Sequence, residues 1–261
     1  MKLKFYKYQG TGNDFVILDN RDESYNNLAQ EQVRFICNRR FGIGADGLMM
    51  LNKHTAFDFE MKYFNADGRE SSMCGNGGRC LVKFANDLGI IRTNYSFIAV
   101  DGKHEASVNL EGMVALKMRD VHDVKFEGKY YTLNTGSPHY VEMINDVMQM
   151  DVSKKGHEIR YSNGFRKEGI NVNFVQQLAD VDKIIVRTYE RGVEAETYSC
   201  GTGVTAAALV CYHNDNGFNR VEVQTLGGHL SVEYDKIGEA YRNIWLNGPA
   251  EKVFEGNITL K

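Results

Sequence analysis

The sequence is poor in proline, with only two among its 261 residues, whereas it contains 26 glycines. Turns built mainly from glycine are typical of a strand-rich α/β protein. The chain also lacks any apolar run as long as the about eighteen residues that a membrane-spanning helix requires. It has no excess of positive charge, because 34 acidic residues outnumber 31 basic ones. We therefore expect neither a membrane nor a nucleic acid among its partners.

Two further absences concern location and metals. No apolar segment follows the basic residues near Met1, so we predict no secretory leader and expect a soluble, cytoplasmic protein. The five cysteines form no Cys-x-x-Cys pair, and the seven histidines do not cluster with them at zinc spacing. We therefore expect reduced thiols and no metal site.

One segment of the sequence returns later in the chain. Cys74-Gly75-Asn76-Gly77 recurs as Cys200-Gly201-Thr202-Gly203, an offset of 126 residues. The same offset relates two further pairs, which are Tyr63 with Tyr189 and Gly102 with Gly228. Because three separate landmarks share one offset, the sequence indicates a duplicated unit.

The repeat predicts an α/β (α+β) fold of two pseudo-symmetric halves. Each half should be a curved, mostly antiparallel sheet around one central helix, with the active site in the cleft between the halves. We place the first half, which carries Cys74, at residues 1–115 and expect residues 250–261 to complete it with a returning strand. The second half, which carries Cys200, should comprise residues 116–249.

Cys74 and Cys200 occupy equivalent positions in the two copies, so they should face one another across the cleft. Two like residues on opposite sides of a stereocentre can exchange the roles of base and acid, one removing a proton while the other returns one. Cysteine suits both roles, because its ordinary pKa of about 8.5 keeps thiol and thiolate accessible near neutral pH. We interpret the other cysteines, Cys37, Cys80 and Cys211, as buried small apolar residues.

Glycines follow each of the two cysteines and open a predicted helix. The first turn of a helix presents unpaired N–H groups and the positive end of the helix dipole, which together bind anions. We expect both helix starts to hold one substrate carboxylate and to stabilise the charge that develops when the α-hydrogen leaves. This chemistry needs no pyridoxal, and the sequence carries no nicotinamide or phosphate cofactor signature, so we expect no cofactor.

Six motifs follow one another along nearly the whole chain. They are Gly12-Asn13-Asp14-Phe15, Asn65-Ala66-Asp67-Gly68, Cys74-Gly75-Asn76-Gly77-Gly78-Arg79-Cys80, Gly136-Ser137-Pro138-His139, Tyr189-Glu190-Arg191-Gly192 and Cys200-Gly201-Thr202-Gly203. In order and spacing this set resembles the diaminopimelate epimerase family. The resemblance implies interconversion of LL- and meso-diaminopimelate, which feeds lysine and peptidoglycan synthesis, and it implies a homodimer.

The resemblance also implies roles for the matching positions. Cys74 and Cys200 would be the acid/base pair, and the carboxylate at the reacting centre would be received by Gly75, Asn76, Gly201 and Thr202. The residues that would recognise the substrate are Asn13, Asn65, Asn171, Glu190 and Arg191. Arg191 would take the distal carboxylate, since a guanidinium can bind a planar anion with two hydrogen bonds. His139 and Glu190 would lie beside the thiols and tune their protonation.

Three features depart from the family's usual pattern. Ser137 stands where asparagine is usual, and Gly47 stands where glutamine is common. Both usual residues help to hold the distal end of the substrate, so Ser137 and Gly47 are supporting positions of the predicted site. The segment from Tyr189 to Thr197 also has one extra residue before Cys200. These departures bear on distal recognition and not on the paired-thiol chemistry.

The sequence leaves other functions open. A proline or hydroxyproline racemase of the same superfamily also uses two cysteines, although its first cysteine usually precedes Gly-His, whereas Gly75-Asn76 follows Cys74 here. A phenazine-biosynthesis type isomerase of similar fold lacks the thiol pair. From a different class, the chain could be a thiol-redox protein, or a binding protein that captures an amino acid without turnover.

Overall fold

The structure, a computed structural model, describes residues 1–180, 182–211, 214 and 216–260. The chain forms two compact units, one of Met1–Leu116 with Pro249–Lys261 and the other of Lys117–Gly248. These limits differ by one residue from the division proposed from the sequence, in which Lys261 lies outside the described residues.

The first unit is a sheet with two helices. Its strands are β1 (Lys2–Gly10), β2 (Asn13–Asp19), β3 (Gly47–Asn52), β4 (Phe59–Asn65), β5 (Glu70–Ser71), β6 (Asn94–Ala99), β7 (Gly102–Val108), β8 (Val114–Lys117) and the returning strand β18 (Glu251–Thr259). Its helices are α1 (Gln30–Cys37) and α2 (Gly75–Asp87). β18 pairs antiparallel with β1 from Lys2↔Thr259 onward, and Leu260 beyond it is buried with Leu3 and Phe5.

The second unit repeats this plan. Its strands are β9 (Lys125–Phe126), β10 (Tyr130–Asn134), β11 (Pro138–Met143), β12 (Asn171–Gln177), β13 (Lys183–Glu190), β14 (Ala195–Thr197), β15 (Asn216–Thr225), β16 (Gly228–Ile237) and β17 (Ala240–Gly248). Its helices are a short 3-10 helix (Val147–Gln149), α3 (Val152–Arg160) and α4 (Gly201–Cys211). α1 and α3 occupy equivalent places, since each lies in the connection between two strands that pair in parallel.

The two units pair their strands in the same order of directions. In the first unit the pairs β1–β2, β2–β3, β3–β4, β4–β6, β6–β7 and β7–β8 are antiparallel, parallel, antiparallel, parallel, antiparallel and antiparallel. The pairs β10–β11, β11–β12, β12–β13, β13–β15, β15–β16 and β16–β17 show the same series. Gly102 and Gly228 open equivalent strands with φ of 118° and 137°, a region that favours glycine. The prediction of an α/β fold with two repeated halves is confirmed.

Each unit buries one helix against its sheet. In α2 nearly every residue from Gly75 to Ala85 is buried, and in α4 nearly every residue from Gly201 to Val210 is buried. Most of these buried residues are glycine, alanine or apolar side chains, as a helix buried on several sides requires, whereas Asn76 and Arg79 are buried polar residues of α2. No helix in the described part of the chain is long and apolar enough to span a bilayer.

Candidate active site

Cys74 is the residue immediately before α2. Its extended backbone, with φ −101° and ψ 130°, turns the chain into the helix, and its carbonyl accepts the N–H of Gly78 at 2.7 Å. The side chain is half-buried, and its Sγ lies 3.6 Å from Asn13 Oδ1. The thiol therefore sits at the positive end of the helix dipole, beside the first N–H groups of α2.

A directed chain of hydrogen bonds runs past Cys74. Arg79 Nη2 donates to Asn76 Oδ1 at 3.0 Å, and Asn76 Nδ2 donates to Asn13 Oδ1 at 3.3 Å. Asn13 Nδ2 in turn donates to Asp46 Oδ2 at 2.6 Å. Because a guanidinium can only donate and a carboxylate can only accept, the two ends fix the orientation of both amides. Asn13 consequently presents its carbonyl oxygen to the Cys74 thiol.

Charged side chains hold Asp46, the acidic end of this series of hydrogen bonds, in place. Arg39 Nη2 lies 2.7 Å from Asp46 Oδ1 and 2.7 Å from Asp14 Oδ1. The buried Lys7 Nζ lies 2.6 Å from Asp14 Oδ2 and also donates to the carbonyl of Gly44. Burial raises the pKa of Asp14, but hydrogen bonds from Arg39 and Lys7 outweigh it and hold this pKa well below its usual range. Asp14 is therefore charged at neutral pH.

Cys200 has the same place in the second unit. It precedes α4, and its carbonyl accepts the N–H of Val204 at 2.8 Å. Its side chain is buried, and Sγ lies 3.5 Å from Thr202 Oγ1. Thr135 Oγ1 donates to the carbonyl of Thr202 at 2.8 Å, which ties the first turn of α4 to the loop after β10. Both cysteines thus immediately precede a central helix, and neither lies within a strand.

His139 is fully buried and neutral. Asn173 Nδ2 donates to the carbonyl of Tyr140 at 2.9 Å and lies 3.1 Å from His139 Nδ1. Because the Tyr140 carbonyl can only accept, the amide of Asn173 must direct its Nδ2–H groups towards Tyr140 and His139. His139 Nδ1 therefore accepts a hydrogen bond from Asn173. The proton of the neutral ring then resides on Nε2. Nε2 has no hydrogen-bond partner within the described residues. Burial lowers the pKa of His139 to about 3, with a smaller contribution from the positive charge of Arg191.

The second unit also gathers the predicted distal residues. Asn171 Oδ1 accepts the backbone N–H of Arg191 at 2.9 Å, and Asn171 Nδ2 donates to Ser137 Oγ at 2.8 Å. Arg191 Nη2 donates to the same hydroxyl at 3.3 Å, and its Nη1 donates to the carbonyl of Glu168 at 3.1 Å. Ser137 therefore joins Asn171 to an exposed guanidinium that keeps further N–H groups for a ligand.

Known proteins resemble this chain along most of its length. The family model described as diaminopimelate epimerase matches residues 5–122 and 131–253. A diaminopimelate epimerase of Flavobacterium psychrophilum is 46% identical, over 98% of this chain and 100% of that protein. One of Chlorobaculum tepidum is 43% identical, over 96% of this chain and 99% of that protein. The chain belongs to the diaminopimelate epimerase family.

Solved structures of lower identity share the fold. A phenazine biosynthesis protein of the PhzF family from Bacillus anthracis superposes with a TM-score of 0.75 at 14% identity, and each chain is covered completely. A probable proline racemase from Agrobacterium radiobacter gives 0.67 at 13% identity, covering 99% of this chain and 93% of that one. At such identity the likeness concerns architecture and carries no statement about substrate.

Gly47 lies where the structure leaves no room for a side chain. It pairs with Asn65 across β3 and β4. A Cβ at position 47 would lie 2.5 Å from Tyr63 Cε2 and 2.6 Å from the carbonyl of Phe64. Such contacts exclude a side chain unless both the Tyr63 ring and the backbone of β4 move. Gly47 therefore contributes backbone only, and the Tyr63 ring takes the space beside it.

The segment from Tyr189 to Thr197, for which the resemblance implies one extra residue, contains a closed turn. Glu194 N donates to the carbonyl of Glu190 at 2.8 Å, and Gly192 N donates to Glu194 Oε1 at 3.1 Å. Positive φ values at Gly192 (91°) and Glu194 (57°) let the chain reverse over so short a distance. Glu190 then pairs with Ala195, and its carboxylate accepts from Thr197 Oγ1 at 3.0 Å. The hairpin of β13 and β14 therefore has a defined pairing register in the segment that leads to Cys200.

Three residues to which the sequence assigned no role position the others. Asp46 orients Asn13, Arg79 orients Asn76, and Asn173 sets the tautomer of His139. For Asn173 a signal was present, since it lies two residues after Asn171 and strand side chains two apart share a face. The other three cysteines are buried or half-buried, and burial raises the pKa of Cys37, Cys80 and Cys211 to about 12.

The neutral, buried state of His139 predicts a pH dependence of stability. The unfolded chain binds a proton on this histidine near pH 6.5, whereas the folded chain does so only near pH 3. Stability conferred by this difference is complete above about pH 6.5 and is lost as the pH falls towards 3. By linkage, the free energy of unfolding should fall by about 2 kcal/mol between pH 7 and pH 5.

Urea unfolding at several pH values tests this expectation. His139→Gln should remove most of the fall between pH 7 and pH 5, whereas the exposed control His122→Gln should retain it. An equal slope in the wild type and in His139→Gln would contradict a neutral, buried His139.

Proposed function

We propose that this protein is a cofactor-independent epimerase that interconverts LL- and meso-diaminopimelate, with Cys74 and Cys200 as the acid/base pair. The observation that carries the proposal is the repeated placement of a cysteine immediately before the glycine-rich start of a buried helix. Relatives that are named diaminopimelate epimerase and match nearly the whole chain support the choice of substrate.

The helix starts supply the electrostatic part of the mechanism. N–H groups of Gly75 and Asn76, and of Gly201 and Thr202, belong to first turns whose N–H groups have no acceptor within the helix. They would bind the carboxylate next to the reacting carbon. When the α-proton leaves, its electron pair spreads into that carboxylate, and fixed donors stabilise the added charge without reorganisation.

Proton transfer then requires one thiol in each protonation state. A thiolate removes the α-proton and becomes a thiol, while the other thiol delivers its proton to the opposite face of the same carbon and becomes a thiolate. The configuration inverts, and the next turnover can run in reverse. The mechanism requires both sulfurs to reach one carbon, and it balances without a redox partner.

Recognition of the distal end is the second part of the proposal. Asn171, Ser137 and Arg191 form one hydrogen-bonded group, in which the exposed guanidinium would bind the distal carboxylate. Asn13, Asn65 and the carboxylate of Glu190 would contact the remaining polar groups of the substrate. Burial keeps the His139 ring neutral, so its Nε2–H would act as a hydrogen-bond donor and the ring would not act as a base.

The assembly and location follow the family resemblance. We propose a cytoplasmic homodimer. For the reaction itself, the nearest alternative substrates are proline and hydroxyproline, and the presence of Asn76 after Cys74-Gly75 favours diaminopimelate over both.

The reaction is tested with LL-diaminopimelate in deuterium oxide. Two-base inversion should place solvent deuterium at the α-carbon of the meso product, while substrate recovered at early times stays protiated, because the abstracted and delivered protons differ. Cys74→Ser and Cys200→Ser should each abolish inversion, since a serine hydroxyl is too weakly acidic to serve as base at neutral pH. The control Cys211→Ser should remain active.

Two results would contradict this proposal. Substrate bound without exchange would indicate a binding protein or a thiol-redox protein. Near-normal inversion by either serine variant would exclude a two-thiol mechanism.

The exposed guanidinium generates a separate prediction. Arg191→Lys keeps the charge but loses the fork that binds a carboxylate with two hydrogen bonds. We expect kcat/KM for diaminopimelate to fall at least about tenfold, equivalent to roughly 1.4 kcal/mol. Arg220→Lys, a surface change on β15, should leave kcat/KM unchanged. An unaltered kcat/KM in Arg191→Lys would remove Arg191 from the substrate site.

A further inference from the structure

Arg79 is a fully buried guanidinium whose partners are all neutral. It lies in the second turn of α2, with 0% of its surface exposed. Its Nη2 donates to Asn76 Oδ1 at 3.0 Å and to Thr11 Oγ1 at 3.2 Å. Within the described residues, Nε and Nη1 have no hydrogen-bond partner. Arg79 is thus a buried charge without a carboxylate beside it.

Such a residue is costly to the fold. An arginine stays protonated even when burial lowers its pKa, as it does here. A buried charge is usually compensated by an opposite charge, and a well-packed apolar residue in its place is often neutral or stabilising. Arg79 also lies next to the positive end of α2, which adds like charge. The position therefore favours an anion that arrives or forms at the start of this helix.

The charged groups around α2 leave Cys74 as the candidate anion. Two thiols border Arg79: Cys80 is the next residue of α2, and Cys74 immediately precedes the turn that contains Asn76, to which Arg79 donates. Burial raises the pKa of Cys80 to about 12, so Cys80 remains a thiol. The acidic groups on the strands packed on α2 have other partners: Tyr8 with Asp87, Asp14 with Lys7 and Arg39, Asp19 with Arg21, Glu105 with Lys103, Glu251 with Gln9, and Glu255 with Lys4 and Lys252. His104 on β7 pairs with Asp101.

The backbone of β1 closes over the guanidinium. A Cβ added to Gly10 would lie 3.2 Å from the Asn76 carbonyl, 3.2 Å from Cys80 Sγ and 3.5 Å from Arg79 Nη2. Glycine at this position lets the strand approach the helix closely and keeps water from the charge. In such an environment the attraction between Arg79 and a nearby anion is stronger than in water.

The second unit has no such cation at the equivalent place. The 126-residue offset relates Arg79 to Thr205, which is also fully buried. Thr205 Oγ1 donates to the carbonyl of Gly201 at 3.0 Å, which is an ordinary bond within α4. The two repeated helix starts therefore differ by one buried positive charge.

We propose that Arg79 is a positioning residue whose buried charge stabilises the thiolate of Cys74, while its Nη2 holds Asn76 in the orientation that faces Asn13. It touches neither the substrate nor the reacting atoms. The inference rests on the proposed function for the use of that thiolate, but the ionisation of Cys74 can be measured without substrate. A failure of the proposed role of Arg79 can therefore be distinguished from a failure of the proposed epimerase function.

The experiment follows alkylation of each cysteine by iodoacetamide as a function of pH, resolved by mass spectrometry. The thiolate is the reacting species. In Arg79→Met the midpoint for Cys74 should rise by about one pH unit, so that alkylation at neutral pH slows about tenfold. The profile of Cys200 should not move. Arg79→Lys should retain most of the wild-type profile, and Thr205→Val, the matched change in the other unit, should leave Cys74 unaffected.

Thermal unfolding separates this role from a structural one. Removing a buried, unpaired charge should leave the melting temperature of Arg79→Met equal or higher. An unchanged midpoint for Cys74 would overturn the proposal, as would equal shifts in Arg79→Met and Arg79→Lys together with a lowered melting temperature. If Arg79→Met does not fold, Arg79→Gln decides in the same way, since it is neutral but keeps a donor for Asn76.

Discussion

The positive end of a buried helix has to be matched by polar or negative groups, and this requirement occurs twice in the chain. α2 and α4 are both buried almost along their whole length, and each begins directly after a cysteine. The N–H groups of their first turns cannot be satisfied within the helix. In the proposed mechanism a carboxylate ligand and a thiolate would meet that need, so the feature that places the helix in the fold would also supply the chemistry at its start.

The groups around Cys74 favour opposite protonation states of its side chain. Asn13 Oδ1 faces the sulfur and accepts from the thiol, which favours the protonated form. The helix dipole favours the thiolate, and the Arg79 charge is proposed to do the same. A residue that serves alternately as base and acid needs both forms within reach near neutral pH. The series of hydrogen bonds from Arg79 to Asp46 fixes the orientation of Asn13, and with it the contact between Asn13 Oδ1 and the Cys74 thiol.

The local pattern predicted the repeat and the helix starts, because glycines beside a cysteine at one offset are visible in the sequence alone. Long-range contacts decided the rest. Nothing near Arg79 indicates that a charged residue is fully buried, since arginine is usually exposed. Tyr63 and the carbonyl of Phe64 leave no room for a side chain at position 47, and only the pairing of β3 with β4 brings them close to Gly47. The tautomer of His139 likewise depends on Asn173 from another strand.

The two-thiol mechanism is tested most directly by single cysteine variants and β-halogenated substrates. With a halide at the β-carbon, one thiolate can remove the α-proton while halide leaves, so no acid on the opposite face is needed. Cys74→Ser and Cys200→Ser should then each eliminate from only one of the LL- and meso-configured analogues, and they should prefer opposite ones. If both variants favour the same isomer, Cys74 and Cys200 do not act on opposite faces of the substrate.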